Sequence, residues 1–268
     1  MSAARAVSLG CCLLGVFLLG FAFYLYGLSG VQETRSQATL YTRLKTELAA
    51  GTAPTGPTAP GSPIAVLDIP AIGISDMVVV QGTTPENLTL GPGHLRNTPL
   101  PGQGGVSVIY GRRATFGAPF TYLSSLRKGD VIRVITGQGT SSYEVVAFGS
   151  SSRTVEDPSA NRLLLLTADS TAVPAYYTYV DADLISSAKP EPSALPAIFS
   201  DETALSGDES ALVLTALWAM ALALVSTAAT VAAMRWSAPL TYLCAVPVAL
   251  AVLWNLYENL AALLPNVY

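Results

Sequence analysis

Cysteine is missing from the part of this chain that can fold into a globular domain. Cys11, Cys12 and Cys244 all lie in long apolar segments, and residues 64–186 contain none. A disulfide framework and a cysteine-based zinc site are therefore excluded from that region. The three thiols are interpreted as small polarizable side chains packed among helices.

Histidine and charged residues are also scarce. His94 is the only histidine, and charged residues make up 12% of the 268 residues. A lone histidine makes a poor metal site, so no metal and no other cofactor is expected. The net charge is −4 and no basic stripe is present, which argues against nucleic-acid binding. No polybasic cluster suggests recognition of anionic lipid.

Hydrophobic residues make up 51% of the chain and are concentrated near its ends. Ala6–Leu28, 211–234 and 238–257 contain no charged residue and are each long enough to cross a bilayer. We therefore expect three transmembrane helices, the first within residues 1–30, followed at the other end by a short tail over 258–268.

The first apolar segment has three possible interpretations. A cleaved secretory signal is disfavoured because the apolar run is long and no convincing small-x-small cleavage site follows it. A lipoprotein signal at Gly10-Cys11 would leave only a few apolar residues before the cysteine. An uncleaved signal-anchor is the favoured prediction.

Basic residues near the spans predict the orientation. Arg5 precedes the first span and Arg235 lies between the second and third, whereas the tail has no Lys or Arg. Placing both arginines in the cytoplasm puts the middle of the chain outside a multi-pass cytoplasmic-membrane protein. Three basic residues just beyond the first span oppose this orientation: Arg35, Arg43 and Lys45.

Two segments of linker composition surround the central region. Residues 31–63 begin with a mixed-charge stretch, Gln32–Leu48, whose leucines at four-residue spacing predict a short amphipathic helix or stalk. Gly51–Pro63 is rich in Pro, Gly and Thr and is expected to be an extended linker that lifts a domain off the membrane. Residues 187–210, rich in Pro, Ser and acidic residues, are expected to be a second linker, so that the domain can tilt.

The central region, residues 64–186, has the pattern of a mainly β domain. Short apolar or alternating runs are separated by Gly, Pro, Asn and Asp turns, which predicts a closed β-barrel of seven to eight strands. Two short helices are expected near residues 85–88 and 120–126. The predicted strands are 64–69, 77–81, 105–110, 131–136, 143–150, 163–167 and 176–184.

Two motifs in this region resemble the signature regions of sortases, in particular the class E sortases of actinobacteria. Gly111–Phe120 reads GRRATFGAPF and Leu163–Ser170 reads LLLLTADS. The resemblance extends over residues 64–184, including the opening strand and the loop GPGHLRNTPLPGQGG at Gly91–Gly105. It implies a sortase-like barrel and, in the family, transpeptidation of a sorting-signal peptide.

The residues that carry the family's chemistry are replaced in this chain. The resemblance places Arg112 where the catalytic histidine belongs, Ala168 where the nucleophilic cysteine belongs and Tyr177 where the arginine belongs. A methyl group cannot form a thioacyl intermediate, and a protonated arginine cannot act as a general base. A catalytically inactive protein is therefore expected.

Other side chains could still serve the cleft, and we treat them as candidate binding residues. His94 belongs to a loop separate from the catalytic histidine, so a structural or surface role is favoured. Asp169 could act as a nucleophile or base, although capping of a turn is favoured. Arg112 and Arg113 could bind a carboxylate or phosphate, unless Arg112 fills the histidine's space and pairs with Asp169 or another acid. Thr167 retains the residue before the nucleophile position.

Two functions remain open from the sequence. The first is a non-catalytic protein that binds a cell-surface or membrane protein, or an extended peptide, outside the membrane. Alanines and other small residues in the second span favour a hetero-oligomer through the transmembrane helices. The alternative is a transpeptidase or hydrolase that uses Asp169 with Arg112. Transport has little support because the spans carry no internal charge.

Overall fold

The computed structural model describes residues 3–153, 159–170, 174–191, 194–198 and 200–268. Its contacts divide the chain into two compact units, one formed by Met1–Ser206 with Pro265–Tyr268 and the other by Gly207–Leu264. The first two residues of the predicted N-terminal segment and residues 192–193 and 199 of the predicted second linker lie outside the described residues.

The first unit contains a closed barrel of eight strands, which confirms the predicted fold class. Around the barrel the strand order is β1-β2-β3-β4-β7-β8-β6-β5, and β5 returns to β1. The β2–β3 and β4–β7 pairs are parallel and the others are antiparallel. The strands are β1 (Pro63–Ile69), β2 (Ile74–Gln81), β3 (Gly93–His94), β4 (Val106–Tyr110), β5 (Val131–Thr136), β6 (Gly139–Ser150), β7 (Arg162–Ala168) and β8 (Tyr177–Leu184).

Alternation of side chains builds the barrel core. In β5, Ile132 and Val134 are fully buried while Val131 and Arg133 are exposed, as expected for a strand with one face inside. β7 is more continuously apolar, and the interior also receives the aromatic ring of Phe120. These strands fix the positions of the loops that follow β4 and β7.

A long helical run precedes the barrel. It consists of α1 (Ala3–Phe23), one π-helical turn (Tyr24–Leu28) and α2 (Ser29–Ala49). The leucines of α2 pack on the barrel, where Leu44 is fully buried against Val66 of β1 and Val78 of β2. The Gln37 amide donates to the carbonyl oxygens of Val78 (3.0 Å) and Leu90 (2.8 Å). The predicted helix is present, but it lies along the barrel instead of acting as a free stalk.

The two predicted linkers also contact the barrel. Ala53 is buried beside α2, and the Gln103 amide donates to the carbonyl oxygen of Thr55 at 2.9 Å. On the other side, the Lys189 N–H donates to the Gly102 carbonyl oxygen, and Glu202 is fully buried. Backbone groups and one buried acid, which composition does not reveal, make these contacts.

The short helices are single 3₁₀ turns. The helix expected near residues 85–88 occupies Asn87–Thr89, and the one expected over 120–126 occupies Leu123–Ser125. Segments this short form too few hydrogen bonds to sustain an α-helix.

The second unit is a helical hairpin. α3 (Ala211–Arg235) and α4 (Ala238–Ala262) are joined by Trp236 and Ser237. Both helices, together with the N-terminal helical run, are long and apolar enough to cross a membrane, which gives three such helices in the described chain. α4 includes Pro247, which a membrane helix tolerates more readily than a soluble one.

Candidate functional site

The barrel brings the two sequence motifs together. β4 and β7 are parallel neighbours with Tyr110 opposite Leu166, so the residues that follow these two strands emerge side by side. The Gly111 N–H donates to the Leu166 carbonyl oxygen (2.9 Å), and the Thr167 hydroxyl donates to the Gly111 carbonyl oxygen (2.9 Å). The buried side chain of Thr167 therefore links the two motifs by a hydrogen bond.

The position predicted for the nucleophile is closed off by packing. Ala168 is fully buried at the end of β7 and lies opposite Tyr177 of β8. Its carbonyl oxygen accepts a hydrogen bond from Arg113 Nη1 at 3.0 Å. Arg113, Ala168 and Tyr177 are thus brought to one place, with a methyl group at its centre.

Arg112 does not lie at the mouth of a cleft, which corrects the expectation that it adds an accessible positive charge. Its side chain is 1% exposed, and the guanidinium donates to the carbonyl oxygens of Leu88 (3.2 Å) and Pro85 (3.1 Å). The guanidinium also lies over the Phe116 ring, 4.8 Å from its centroid. Burial lowers the pKa of Arg112 to about 10, so the group remains protonated at neutral pH.

The loop after Arg113 has an unusual backbone that holds this arrangement. Phe116, Gly117 and Ala118 all have positive φ, at 49°, 74° and 47°. This conformation is strained for the two residues that carry a Cβ. A Cβ at Gly117 would approach the Glu33 carboxylate to 2.5 Å, and the Phe116 N–H donates to Ser29 Oγ at 2.9 Å. The start of α2 therefore supports the loop.

Asp169 and Arg113 line a groove of about 300 Å³ beside β8. Asp169 Oδ1 and Arg113 Nε are buried and have no hydrogen-bond partner among the described residues. Arg112 contacts Asp169 in none of its hydrogen bonds, so the expected ion pair between them is not formed. Asp169 shares this groove with two arginines, Arg113 and Arg153, whereas Arg112 does not line it.

His94 lies in β3 and is built into the barrel instead of the cleft. It is fully buried, with Nδ1 bonded to Gln81 Oε1 (3.0 Å) and Nε2 close to the Pro99 carbonyl oxygen (2.9 Å) and Thr98 Oγ1 (3.1 Å). None of these partners belongs to the predicted cleft. Of the two roles proposed for His94, the structural one matches this environment.

The buried histidine predicts a pH-dependent stability. Burial lowers the His94 pKa from 6.5 to about 4, so below pH 6.5 the unfolded chain takes up a proton that the folded barrel does not. The contribution of neutral His94 to the free energy of unfolding is therefore complete above pH 6.5. It decreases by about 3 kcal/mol as the pH falls toward 4. Urea unfolding of the detergent-solubilised chain at pH 7 and pH 4.5, followed by deuterium uptake of the barrel-strand peptides, measures this loss.

The matched variant is His94→Gln, which keeps an amide within reach of the same partners. Its stability should decline less steeply over this pH range than that of the parent chain. Equal slopes in the two proteins would contradict the assignment of the pH dependence to His94.

One segment at the site was missed by the sequence analysis. The carbonyl oxygen of Val267 accepts hydrogen bonds from the N–H groups of both Arg113 (3.1 Å) and Ala168 (3.3 Å). The Val267 side chain is fully buried in the apolar cluster that contains Ala168, and the Tyr268 carbonyl oxygen accepts from Thr115 Oγ1 (2.9 Å). The tail carries no charge pattern or motif, so no sequence signal placed it here.

The barrel sequence is similar to known proteins. Residues 67–184 match the family model described as Sortase domain. Sortase D of Bacillus subtilis (strain 168) is 33% identical over 86 residues, which cover 32% of this chain and 41% of that protein. The chain thus matches about two fifths of the length of this curated relative.

Solved sortase structures are also similar to the chain. A sortase D5 transpeptidase of Clostridium perfringens is 21% identical, with 57% of this chain and 99% of that chain covered and a TM-score of 0.49. Sortase E of Streptomyces avermitilis is 28% identical, with 48% and 91% covered and a TM-score of 0.42. Residues 67–184, which form most of the barrel, are therefore similar to the Sortase domain.

Proposed function

We propose that this chain is a membrane-anchored, catalytically inactive sortase-like protein that binds an extended peptide segment of a cell-surface or membrane protein. The observation that carries the proposal is the combination found at the end of β7. Ala168 presents a buried methyl group where the resemblance expects a nucleophile, while its N–H and that of Arg113 point at one peptide carbonyl oxygen.

The surrounding residues support binding without chemistry. Two converging N–H donors can bind the carbonyl oxygen of a peptide whether or not the peptide bond is cleaved. The only histidine is buried in β3, and the guanidinium at the predicted histidine position is held by backbone carbonyl oxygens. The proposal has two further parts. The chain resembles the class E sortases, and the family's catalytic functions are lost at the positions of Arg112, Ala168 and Tyr177.

The membrane location of the chain and the orientation of its barrel are part of the same proposal. The three apolar helices anchor the chain in the cytoplasmic membrane, and Arg5 and Arg235 favour an orientation with the barrel outside. Small residues along α3 are suited to close helix contacts in lipid, which supports a hetero-oligomer with a second membrane protein.

An enzyme that uses Asp169 is the competing function. The buried, unpartnered Oδ1 of Asp169 in the groove beside β8 is the observation that favours it. Arg112 cannot be its partner in this arrangement because the guanidinium is buried against Leu88 and Pro85. The alternative is therefore Asp169 with Arg113 or Arg153, the two arginines that line the same groove.

A turnover assay separates the two functions. The purified full chain in detergent is incubated with a sorting-signal peptide and an amine acceptor, and products are measured by mass spectrometry. We expect no transpeptidation or hydrolysis above the protein-free blank, because Ala168 cannot form the acyl intermediate. An active sortase with its own peptide serves as the positive control. Turnover that disappears in Asp169→Asn would overturn the proposal and establish the competing enzyme.

A further inference from the structure

The segment Asn266–Tyr268, here called the tail segment, fills the centre of the candidate site. We propose that it is a resident peptide ligand of this site, which is therefore a peptide-binding cleft occupied in cis and closed to other peptides until the segment leaves. This inference rests on the proposed binding function and specifies its ligand and its regulation.

The backbone of Val267 is recognised on both sides. Its carbonyl oxygen accepts from the N–H groups of Arg113 and Ala168, while its own N–H donates to the Ala204 carbonyl oxygen at 3.3 Å. Val267 lies in a turn that is closed by the Tyr268 N–H, which donates to the Pro265 carbonyl oxygen at 3.0 Å. The turn is bound through main-chain groups of three different segments, those of Arg113, Ala168 and Ala204. Such contacts accept many peptide sequences and leave specificity to the side-chain pockets.

The side chain of Val267 enters an apolar pocket. It is fully buried and belongs to the same packed cluster as Ala168, Leu166 and Tyr110. A β-branched or similar aliphatic side chain suits such a pocket, and a charged one would have to give up its hydration there. The methyl group of Ala168 forms part of this pocket, so the replacement of the nucleophile contributes to binding.

The two neighbouring residues are held by specific contacts. Asn266 is fully buried, and its Nδ2 donates to the carbonyl oxygens of Asp201 (2.5 Å) and Thr203 (2.8 Å). The Tyr268 hydroxyl lies 2.5 Å from the Tyr26 hydroxyl, and its ring is 8% exposed. Three consecutive side chains are thus buried outside any regular helix or strand, which indicates a ligand of the form Asn, aliphatic, aromatic.

Occupation in cis gives the site a regulatory property. A tethered segment competes at a high effective concentration, so a free peptide of the same chemistry binds only when the tail segment is released or weakened. Substituting the tail segment should therefore open the site without altering the barrel.

Thiol protection tests the occupancy. In a background with Cys11, Cys12 and Cys244 replaced by serine, Ala168→Cys places one thiol in the cleft of the full, detergent-solubilised chain. We expect a maleimide to label this thiol about tenfold or more slowly than in the same chain carrying Val267→Asp, because the buried carboxylate expels the tail segment. Equal labelling rates in the two chains would overturn the proposal.

Two further thiols show that the barrel stays folded in these variants. Lys128→Cys is exposed and should label rapidly with or without Val267→Asp, while Ala182→Cys is fully buried and should stay unlabelled in both. If Val267→Asp also exposes the thiol at position 182, the variant has lost its fold. Asn266→Ala, which removes only the two amide hydrogen bonds, then replaces it in the comparison.

A peptide supplied in trans tests the ligand class. The amidated hexapeptide LLPNVY, which repeats residues 263–268, should restore protection of the thiol in the Ala168→Cys, Val267→Asp chain, and the peptide LLPNDY should not. If LLPNVY leaves the labelling rate unchanged at millimolar concentration, the cleft is not a site for this peptide. Turnover in the separate enzyme assay would contradict the proposed function and leave these labelling results intact, so the two failures are distinguishable.

Discussion

Replacing Arg112 with alanine is expected to destabilise the barrel by about 4 kcal/mol. The guanidinium is buried and supplies hydrogen bonds to the carbonyl oxygens of Leu88 and Pro85, and its removal would leave both oxygens without these donors. The lost volume beside the Phe116 ring adds a cavity. The predicted role of Arg112 as a surface anion site leads to the opposite expectation, a nearly neutral change.

The stability of the barrel has to be measured without tryptophan fluorescence, because Trp218, Trp236 and Trp254 all lie in α3, in α4 or between them. Tyrosine signals do not isolate the barrel either, because Tyr242 and Tyr257 lie in α4. Deuterium uptake of strand peptides during urea unfolding reports the barrel itself. Arg112→Lys keeps the charge with fewer donors and should lose about half as much. Arg127 is exposed, and Arg127→Ala should change the free energy of unfolding by about 0.5 kcal/mol or less. If Arg112→Ala changes it by no more than Arg127→Ala does, the structural role of Arg112 is refuted.

Glu202→Ala is expected to cost about 4 kcal/mol for a different reason. The carboxylate is fully buried and forms a bidentate pair with Arg96, with Nε–Oε1 and Nη2–Oε2 distances of 2.7 and 2.5 Å. Removal of the acid leaves the guanidinium, which is only 11% exposed, without this partner. The segment that contains Glu202 also supplies the carbonyl oxygens that bind Asn266 and Val267.

Deuterium exchange can detect both consequences of this substitution. Peptides covering residues 200–206 and 265–268 should gain deuterium faster in Glu202→Ala, in addition to the global loss of stability. Glu191→Ala removes an exposed acid from the same stretch of chain and should leave both rates unchanged. Unchanged exchange in Glu202→Ala would mean that the ion pair does not hold this segment on the barrel.

Most of the fold could be predicted from the sequence because its signals are local. The β5 alternation and the apolar run of β7 predicted strands within one or two residues of their observed ends. β3 was missed because two residues, Gly93 and His94, cannot display a period. The docking of α2 was missed because it depends on Gln37, whose amide bonds across 41 and 53 residues of sequence.

The candidate site was predictable only in part. Parallel pairing of β4 with β7 brings the ends of the two motifs together. Arg113 then contacts Ala168, which lies opposite Tyr177, whereas the motifs predicted Arg112 at this place. The direction of the Arg112 side chain was not predictable, because burial of a guanidinium depends on carbonyl oxygens contributed by the segment at Pro85 and Leu88. The tail segment was not predictable either, since a neutral, motif-free stretch gives no indication of a distant partner.

The contacts of Val267 also fix an order of events during synthesis. Domains generally fold from the N-terminal side as the chain emerges, and the strands that flank Arg113 and Ala168 are made long before residue 267. Both apolar helices, α3 and α4, are translated in between. Each newly made molecule therefore passes through a period in which its barrel is folded and its cleft is empty. With the barrel outside the membrane, as proposed above, a partner present there during that interval meets the site before the tail segment occupies it.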